Sequence, residues 1–278
     1  MINLNPFDVF LWTLRRNEKD IVNLYNALSP VMQVATGGSM LNFGYWDDAH
    51  KDPISAQENL CSVFGKMSGL DSAKFALDVG SGLSAPAIFW RNHYEDLLLS
   101  CININRSQLS FCGPEKNIEF MASSSVLLPF ADSSVDRVLA LESAQHFKPF
   151  SKFISESKRV LSSSGILAMA IPVVMESASI SKLGILKFTW SSEHYGIENI
   201  RNTINNFGFK ITKETMIGSS VYEPLSDFYL ENHDALKKLI LKQYSPIVES
   251  ILFRSIQKMA QASEDKIIEY VLLKCEIN

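Results

Sequence analysis

Two stretches of this 278-residue chain carry residue types suited to chemistry. In "FALDVGSGLSAPAIFW" (75–90) an apolar run reaches Asp78, then Gly80 and Gly82, then Ser84, and becomes helix-like at once. Glycines let a ligand approach the main chain, and a helix starting near Ser84 offers N–H groups with no intrahelical partner. The second stretch is "LESAQHF" (141–147), where Glu142 and His146 share a face if the segment turns helical. A carboxylate and an imidazole so spaced suit proton transfer at neutral pH. Plainer alternatives stand beside both. The glycines can serve packing alone, Glu142 can be a solvated strand end, and His146 can cap backbone or pack against Phe147 and Phe150.

Other chemistries find less support. The five histidines form no HxxxH pair, and the four cysteines (Cys61, Cys101, Cys112, Cys275) show no CxxC spacing. Buried free thiols and no metal site are expected. Gly80-Ser81-Gly82-Leu83-Ser84-Ala85 fits the G-x-G-x-x-G/A dinucleotide fingerprint, but that fingerprint lacks the acid at Asp78. The ribose-binding carboxylate expected about twenty residues on is Asn103. About seventy residues also precede this strand, which is unlike a dehydrogenase that opens on it.

These residues must be positioned by ordered elements. Short apolar runs at 75–79, 97–103, 118–122, 135–141, 165–171 and 209–217 read as strands, and 84–94, 106–116, 150–161 and 195–206 as helices. Near-continuous apolar strands alternating with helices imply a parallel sheet covered on both faces. Upstream, residues 5–28 read as two helices, the first with Asn5 as cap and Pro6 in its first turn. Residues 29–48 read as a loop, followed by a helix from Ser55 to Met67 closed by Gly69. Residues 224–262 read helical with Pro246 as a break, and "KIIEYVLLKCEI" as an edge strand. One domain is expected: a helical cap (1–70), a core (71–221), a helical insertion (222–265) and a last strand (266–278).

The ordered series Asp78-x-Gly80-x-Gly82, "SCININRSQL", "LLPFADSSVDRVLALESAQHF" and "FISESKRVLSSSGILAMAIP" resembles the class I S-adenosylmethionine-dependent methyltransferases, nearest to their sterol, quinone and natural-product branch. "LNFGYW" (41–46) is similar to the short aromatic motif those enzymes carry ahead of the sheet. The resemblance covers about residues 20–220. It implies an α/β, Rossmann-like, doubly wound and mostly parallel seven-stranded sheet, with S-adenosylmethionine as cofactor and S-adenosylhomocysteine as product. By the same resemblance Asp78, Gly80, Ser81 and Gly82 hold the methionine part. Asn103 with Ile104 binds the ribose, Gln108 follows in the helix, and Ser124 with Ser125 meets the adenine beside the Leu128-Pro129-Phe130 wall. Glu142 and His146 lie beside the transferred methyl, Glu142 touching cofactor as well, and Tyr45, Trp46 and Tyr25 close over the site.

Three positions depart from the family pattern: Ser84 for a third glycine, Asn103 for the ribose acid and Ser124 for the adenine acid. Losing two charge-assisted hydrogen bonds costs roughly 1–3 kcal/mol, one to two decades of affinity. The expectation is therefore a weakened cofactor site in an active enzyme, with a non-catalytic binding protein of the same fold as the alternative. By the same reasoning Asn103→Asp should preserve or tighten binding. Composition agrees with a small-molecule enzyme. The chain is 46% hydrophobic with net charge −4, and it has no basic cluster for nucleic acid and no membrane-spanning run. A cytoplasmic location is expected from the absence of a leader-like start. The acceptor is expected to be a small, mostly apolar or aromatic metabolite under a helical lid, and the protein a monomer or homodimer.

Overall fold

A computed structural model describes residues 6–110, 112–190 and 193–278. Asn5, the expected cap, lies outside them. The chain begins with α1 (Pro6–Arg15) and α2 (Glu18–Thr36), where Asn17 and Asp20 form a capping box. Helix α2 runs past Pro30 to a left-handed Gly37, so residues 29–36 of the expected loop are helix. Its apolar face continues through Leu24, Ala27 and Val31, and that burial outweighs the backbone bond lost at proline. Helix α3 (Pro53–Ser68) follows, capped by Asp52, whose carboxylate accepts from the Ile54 and Ser55 amides. Ser55 is the reciprocal partner of the box rather than the cap.

The core then alternates as expected: β1 (Phe75–Val79), α4 (Ala85–His93), β2 (Leu98–Asn103), α5 (Arg106–Leu109), β3 (Ile118–Ala122), β4 (Val135–Leu141), α6 (Phe150–Val160) and β5 (Leu161–Val174). Helix α5 is far shorter than 106–116, because Gly113-Pro114 ends helical propagation. After a four-residue α7 (Leu186–Thr189) come α8 (Ile197–Asn206), β6 (Phe209–Met216), α9 (Tyr222–Glu231), α10 (His233–Leu241), α11 (Pro246–Glu264) and β7 (Ile268–Ile277). Pro246 opens α11 at its first turn instead of breaking a helix, a position where its missing N–H costs nothing.

The seven strands form one sheet in the order β3-β2-β1-β4-β5-β7-β6. The first five are mutually parallel, and β7 runs antiparallel between β5 and β6. The last strand is thus interior, not an edge. Val271, Leu272 and Leu273 are all buried, and only a position paired on both sides and covered on both faces accommodates that run. One core layer packs α3 and α4 on one face through Leu60, Phe64 and Trp90. The other packs α6 and α8 through Phe153, Ile154 and Ile200. A smaller cluster of Val31, Tyr229, Ile240, Tyr244 and Ile256 fastens the insertion onto α2. Cys61, Cys101 and Cys275 are buried free thiols and Cys112 is half-buried. Among the described residues no helix is long and apolar enough to cross a membrane.

Candidate active site

Strand order reverses between β1 and β4, so the loops leaving their carboxyl ends part there and leave a crevice. The turn after β1 contains Gly80 at φ 77° and Gly82 at φ 55°, both left-handed. Their reasons differ. A Cβ on Gly80 would stand 2.4 Å from Ser143 Cβ, so this glycine lets β1 and β4 approach. Ser143 closes the junction by donating to the Val79 carbonyl at 2.6 Å. A Cβ on Gly82 would meet only Leu41 Cδ1, at 3.5 Å, across a cavity that both residues line. Gly82 keeps ligand space open. Ser84, in place of a third glycine, adopts the left-handed φ of 57° itself and is fully buried.

The cavity above the turn measures about 290 Å³. Gly80, Ser81 and Gly82 line it, as do Asn103, Ile104 and Gln108, then Ser125, and finally Glu142 and His146. Asp78, Ser124, Tyr45 and Trp46 are not in its wall. Asp78 sits behind the turn, 2% exposed; burial pushes its carboxyl up to about 7, and Oδ2 has no hydrogen-bond partner. The Ser124 hydroxyl donates to Glu18 Oε1 at 2.6 Å, so the anionic group at this end of the cavity is Glu18 from α2. Leu128 is buried in the core and Phe130 packs on Phe75, both away from the cavity.

"LNFGYW" works differently from its expected role. Trp46 donates from Nε1 to the Phe43 carbonyl and packs on Phe228, while Tyr45 binds α3 through the Ala56 carbonyl. These two aromatics anchor the loop, and it is Leu41, Asn42 and Phe43 that face the cavities.

Asn103 is committed to local structure. Its amide nitrogen donates to the Gly82 carbonyl and to Gln108 Oε1, both at 3.0 Å, and its oxygen accepts from the Asn105 amide. An aspartate would aim a charge at two acceptors, so the expectation for Asn103→Asp reverses. The substitution should cost about 1–3 kcal/mol of stability and weaken S-adenosylhomocysteine binding, as read by thermal melts and titration calorimetry.

A second cavity of about 290 Å³ lies beyond the first, walled mostly by apolar side chains of α2 and α11, among them Leu24, Leu28, Ile251 and Leu252. Tyr25, Leu41, Glu142 and His146 line both cavities. Here Tyr25, far upstream in sequence, meets His146: its hydroxyl lies 2.7 Å from Nε2, and the rings pack edge to face. Burial chiefly, then the Glu142 charge, holds the Tyr25 phenol above its ordinary range. It therefore stays protonated, and in the tautomer that keeps the imidazole proton on Nδ1 it donates to Nε2.

Glu142 occupies a left-handed backbone position, φ 49°, and the helical turn expected to place it over His146 is instead a short 3-10 turn, Ala144–His146. Its Oε1 accepts from the Phe43 amide at 2.8 Å and the Tyr270 hydroxyl at 2.9 Å. Burial outweighs both donors and pushes its pKa up to about 8, from an ordinary 4.5. The folded chain thus keeps a proton that the unfolded chain releases, and stability falls as pH rises from about 4.5 to about 8. Asp78 contributes the same trend up to about 7. Above that only Glu142 remains, so between pH 7 and 8 the wild type should lose up to about 1.4 kcal/mol while Glu142→Gln stays level, in urea unfolding series. Glu193 and His194 line neither cavity; Glu193 pairs with Lys148 at 3.3 Å, and burial lowers His194 to about 4.

Residues 77–169 match the family described as "Methyltransferase domain". The erythromycin 3''-O-methyltransferase of Saccharopolyspora erythraea is 25% identical over 267 residues, covering 87% of this chain and 86% of that protein. The methyltransferase GfsG of Streptomyces halstedii is 31% identical over 48% of this chain, which spans about half (51%) of that relative. In fold, the crystal structure of the [4+2]-cyclase SpnF superposes with a TM-score of 0.77 at 19% identity, covering 94% of this chain and 97% of that one. The domain match begins inside β1, three residues before Gly80, and ends inside β5, so it contains the glycine turn and the β4 side of the crevice. Residues 77–169 thus carry a methyltransferase domain, and the chain around it is similar over most of its length to an O-methyltransferase of natural-product type.

Proposed function

We propose that this protein methylates a hydroxyl of a small, mostly apolar metabolite, using S-adenosylmethionine. One observation carries the reading: the more polar cavity, over the glycine turn, and the more apolar one, under α11, share Tyr25, Leu41, Glu142 and His146. A donor in the first and an acceptor in the second meet at a hydrogen-bonded phenol–imidazole pair. The neighbours support an O-methylation: one similar protein is named for methylating an erythromycin hydroxyl.

The residues present suit the cofactor. Gly82 leaves room at the main chain, Ser81, Ile104 and Gln108 line the cavity, and Glu18 supplies the acceptor for an adenine amine that Ser124 was expected to be. Unpartnered Asp78 Oδ2 places latent negative charge behind the turn, a field that would favour an ammonium bound in the cavity. When bound, the cofactor supplies an electrophilic methyl on a sulfonium. The protein's part is to hold the acceptor oxygen in line, exclude water and take its proton. As the oxygen–methyl bond forms, the acceptor proton passes to the Tyr25 oxygen and the Tyr25 proton to His146 Nε2. The whole chain acts as one domain in this reading, with α1, α2 and the 222–265 insertion roofing the acceptor.

The test is transfer of tritium from methyl-labelled cofactor to a panel of hydroxylated macrolides and aromatic polyketides. Organic-extractable label on a hydroxyl supports the reading. Binding of S-adenosylhomocysteine with no label on any acceptor supports the non-catalytic alternative, and tighter binding of NAD than of S-adenosylhomocysteine overturns the cofactor assignment.

A further inference from the structure

Gln145 follows Glu142 into the wall of the apolar cavity but is absent from the polar one. It is 6% exposed, and its Nε2 donates to the Glu142 carbonyl at 2.8 Å. That bond settles which end of the amide is which, because only the nitrogen can donate to a carbonyl. The other end, Oε1, is buried with no hydrogen-bond partner. A buried carbonyl without a donor costs about 1–3 kcal/mol, and such atoms in native proteins call for an explanation. The explanation here has a defined chemistry. Oε1 can only accept, so what completes it must carry a proton.

We infer that Gln145 Oε1 receives a hydrogen bond from the acceptor molecule, and that this atom selects acceptors bearing an O–H or N–H over isosteres that lack one. This rests on the assignment of the apolar cavity to the acceptor and deepens it. The lining of this cavity makes the choice consequential, since most of it, Leu24, Phe43, Leu186 and Met259 included, offers an entering polar group nothing in exchange for its water. A site built to pair a donor discriminates strongly against analogues without it, because the protein's own polar atom is left unpaired. An alkene or other carbon acceptor gives Oε1 no partner. The same atom therefore points to a protonated heteroatom as the methylated centre or as a neighbour that aligns it. One turn of chain places His146 and its Tyr25 partner beside it to receive the proton.

The experiment uses 1-naphthol and 1-methoxynaphthalene as cavity probes, titrated by fluorescence into the full chain saturated with S-adenosylhomocysteine. The two differ in the ability to donate. Wild type should bind the naphthol about three- to tenfold tighter than the ether, and Gln145→Leu should erase that preference while ether and S-adenosylhomocysteine affinities hold. Gln145→Met, unbranched and likewise without an acceptor oxygen, should also lose the preference and serves as the readout should the leucine variant not fold. A preference undiminished in Gln145→Leu overturns the role of Gln145 and leaves the acceptor cavity standing. Failure of wild type to bind either probe overturns the acceptor cavity and this inference with it.

Discussion

His146→Ala is expected to slow methyl transfer about a hundred- to ten-thousandfold, the usual worth of positioned proton transfer, with S-adenosylhomocysteine affinity little changed. The imidazole reaches the chemistry through Tyr25, whose hydroxyl lies 2.7 Å from Nε2. Tyr25→Phe should therefore fall in the same range. The double variant should be scarcely worse than either single one, because residues acting as a unit are not additive. A packing role predicts another pattern: lower melting temperatures, undiminished single-turnover rate per folded molecule, and additive losses. A folded His146→Ala protein with wild-type turnover would remove the relay and leave catalysis to proximity alone.

The second large effect separates the two glycines of the turn. Gly82→Val should lower S-adenosylhomocysteine affinity at least about a hundredfold, equivalent to about 2.8 kcal/mol, while the protein stays folded. Its left-handed backbone adds about 1–2 kcal/mol of strain, but the new side chain enters the cavity toward Leu41 rather than the core. Gly80→Ala should do the reverse. Its Cβ would lie 2.4 Å from Ser143, so overpacking costs about 1–3 kcal/mol beyond the backbone strain and the fold loses stability first. Calorimetric titration and urea unfolding on both variants check this. Equal loss of stability with unchanged affinity in Gly82→Val would mean that both glycines serve packing.

What the linear chain determined is local or periodic. Apolar runs flanked by turn residues located the strands to within a few residues, most clearly the interior ones, where burial on both faces leaves little room for polar positions. The Asp78–Gly82 spacing marked a turn that lines a cavity for a local reason too: glycine holds left-handed angles at little cost. Where local signals compete, the linear reading misplaced elements. Residues 29–36 read as loop but are carried as helix by the buried face of α2, and the last strand looked like an edge until both its neighbours were known.

Only the tertiary structure decided which residues meet. Tyr25 and His146 are separated by more than a hundred residues, and nothing in either segment names the other. Glu18 brings a carboxylate to Ser124 from a helix that lies far ahead of β3 in the chain. The orphaned oxygen of Gln145 is invisible in sequence, since glutamine satisfies its amide on most surfaces; it becomes informative only once the fold has buried it and spent its nitrogen on Glu142. Asn103 shows the limit from the other side. Its residue type suggested a weakened ribose contact, but three hydrogen bonds to Gly82, Gln108 and Asn105 reveal a side chain that shapes the turn itself. Side-chain partnership depends on distances that chain connectivity leaves open until packing closes them, and that is why the site's architecture, unlike its glycine motif, had to be seen folded.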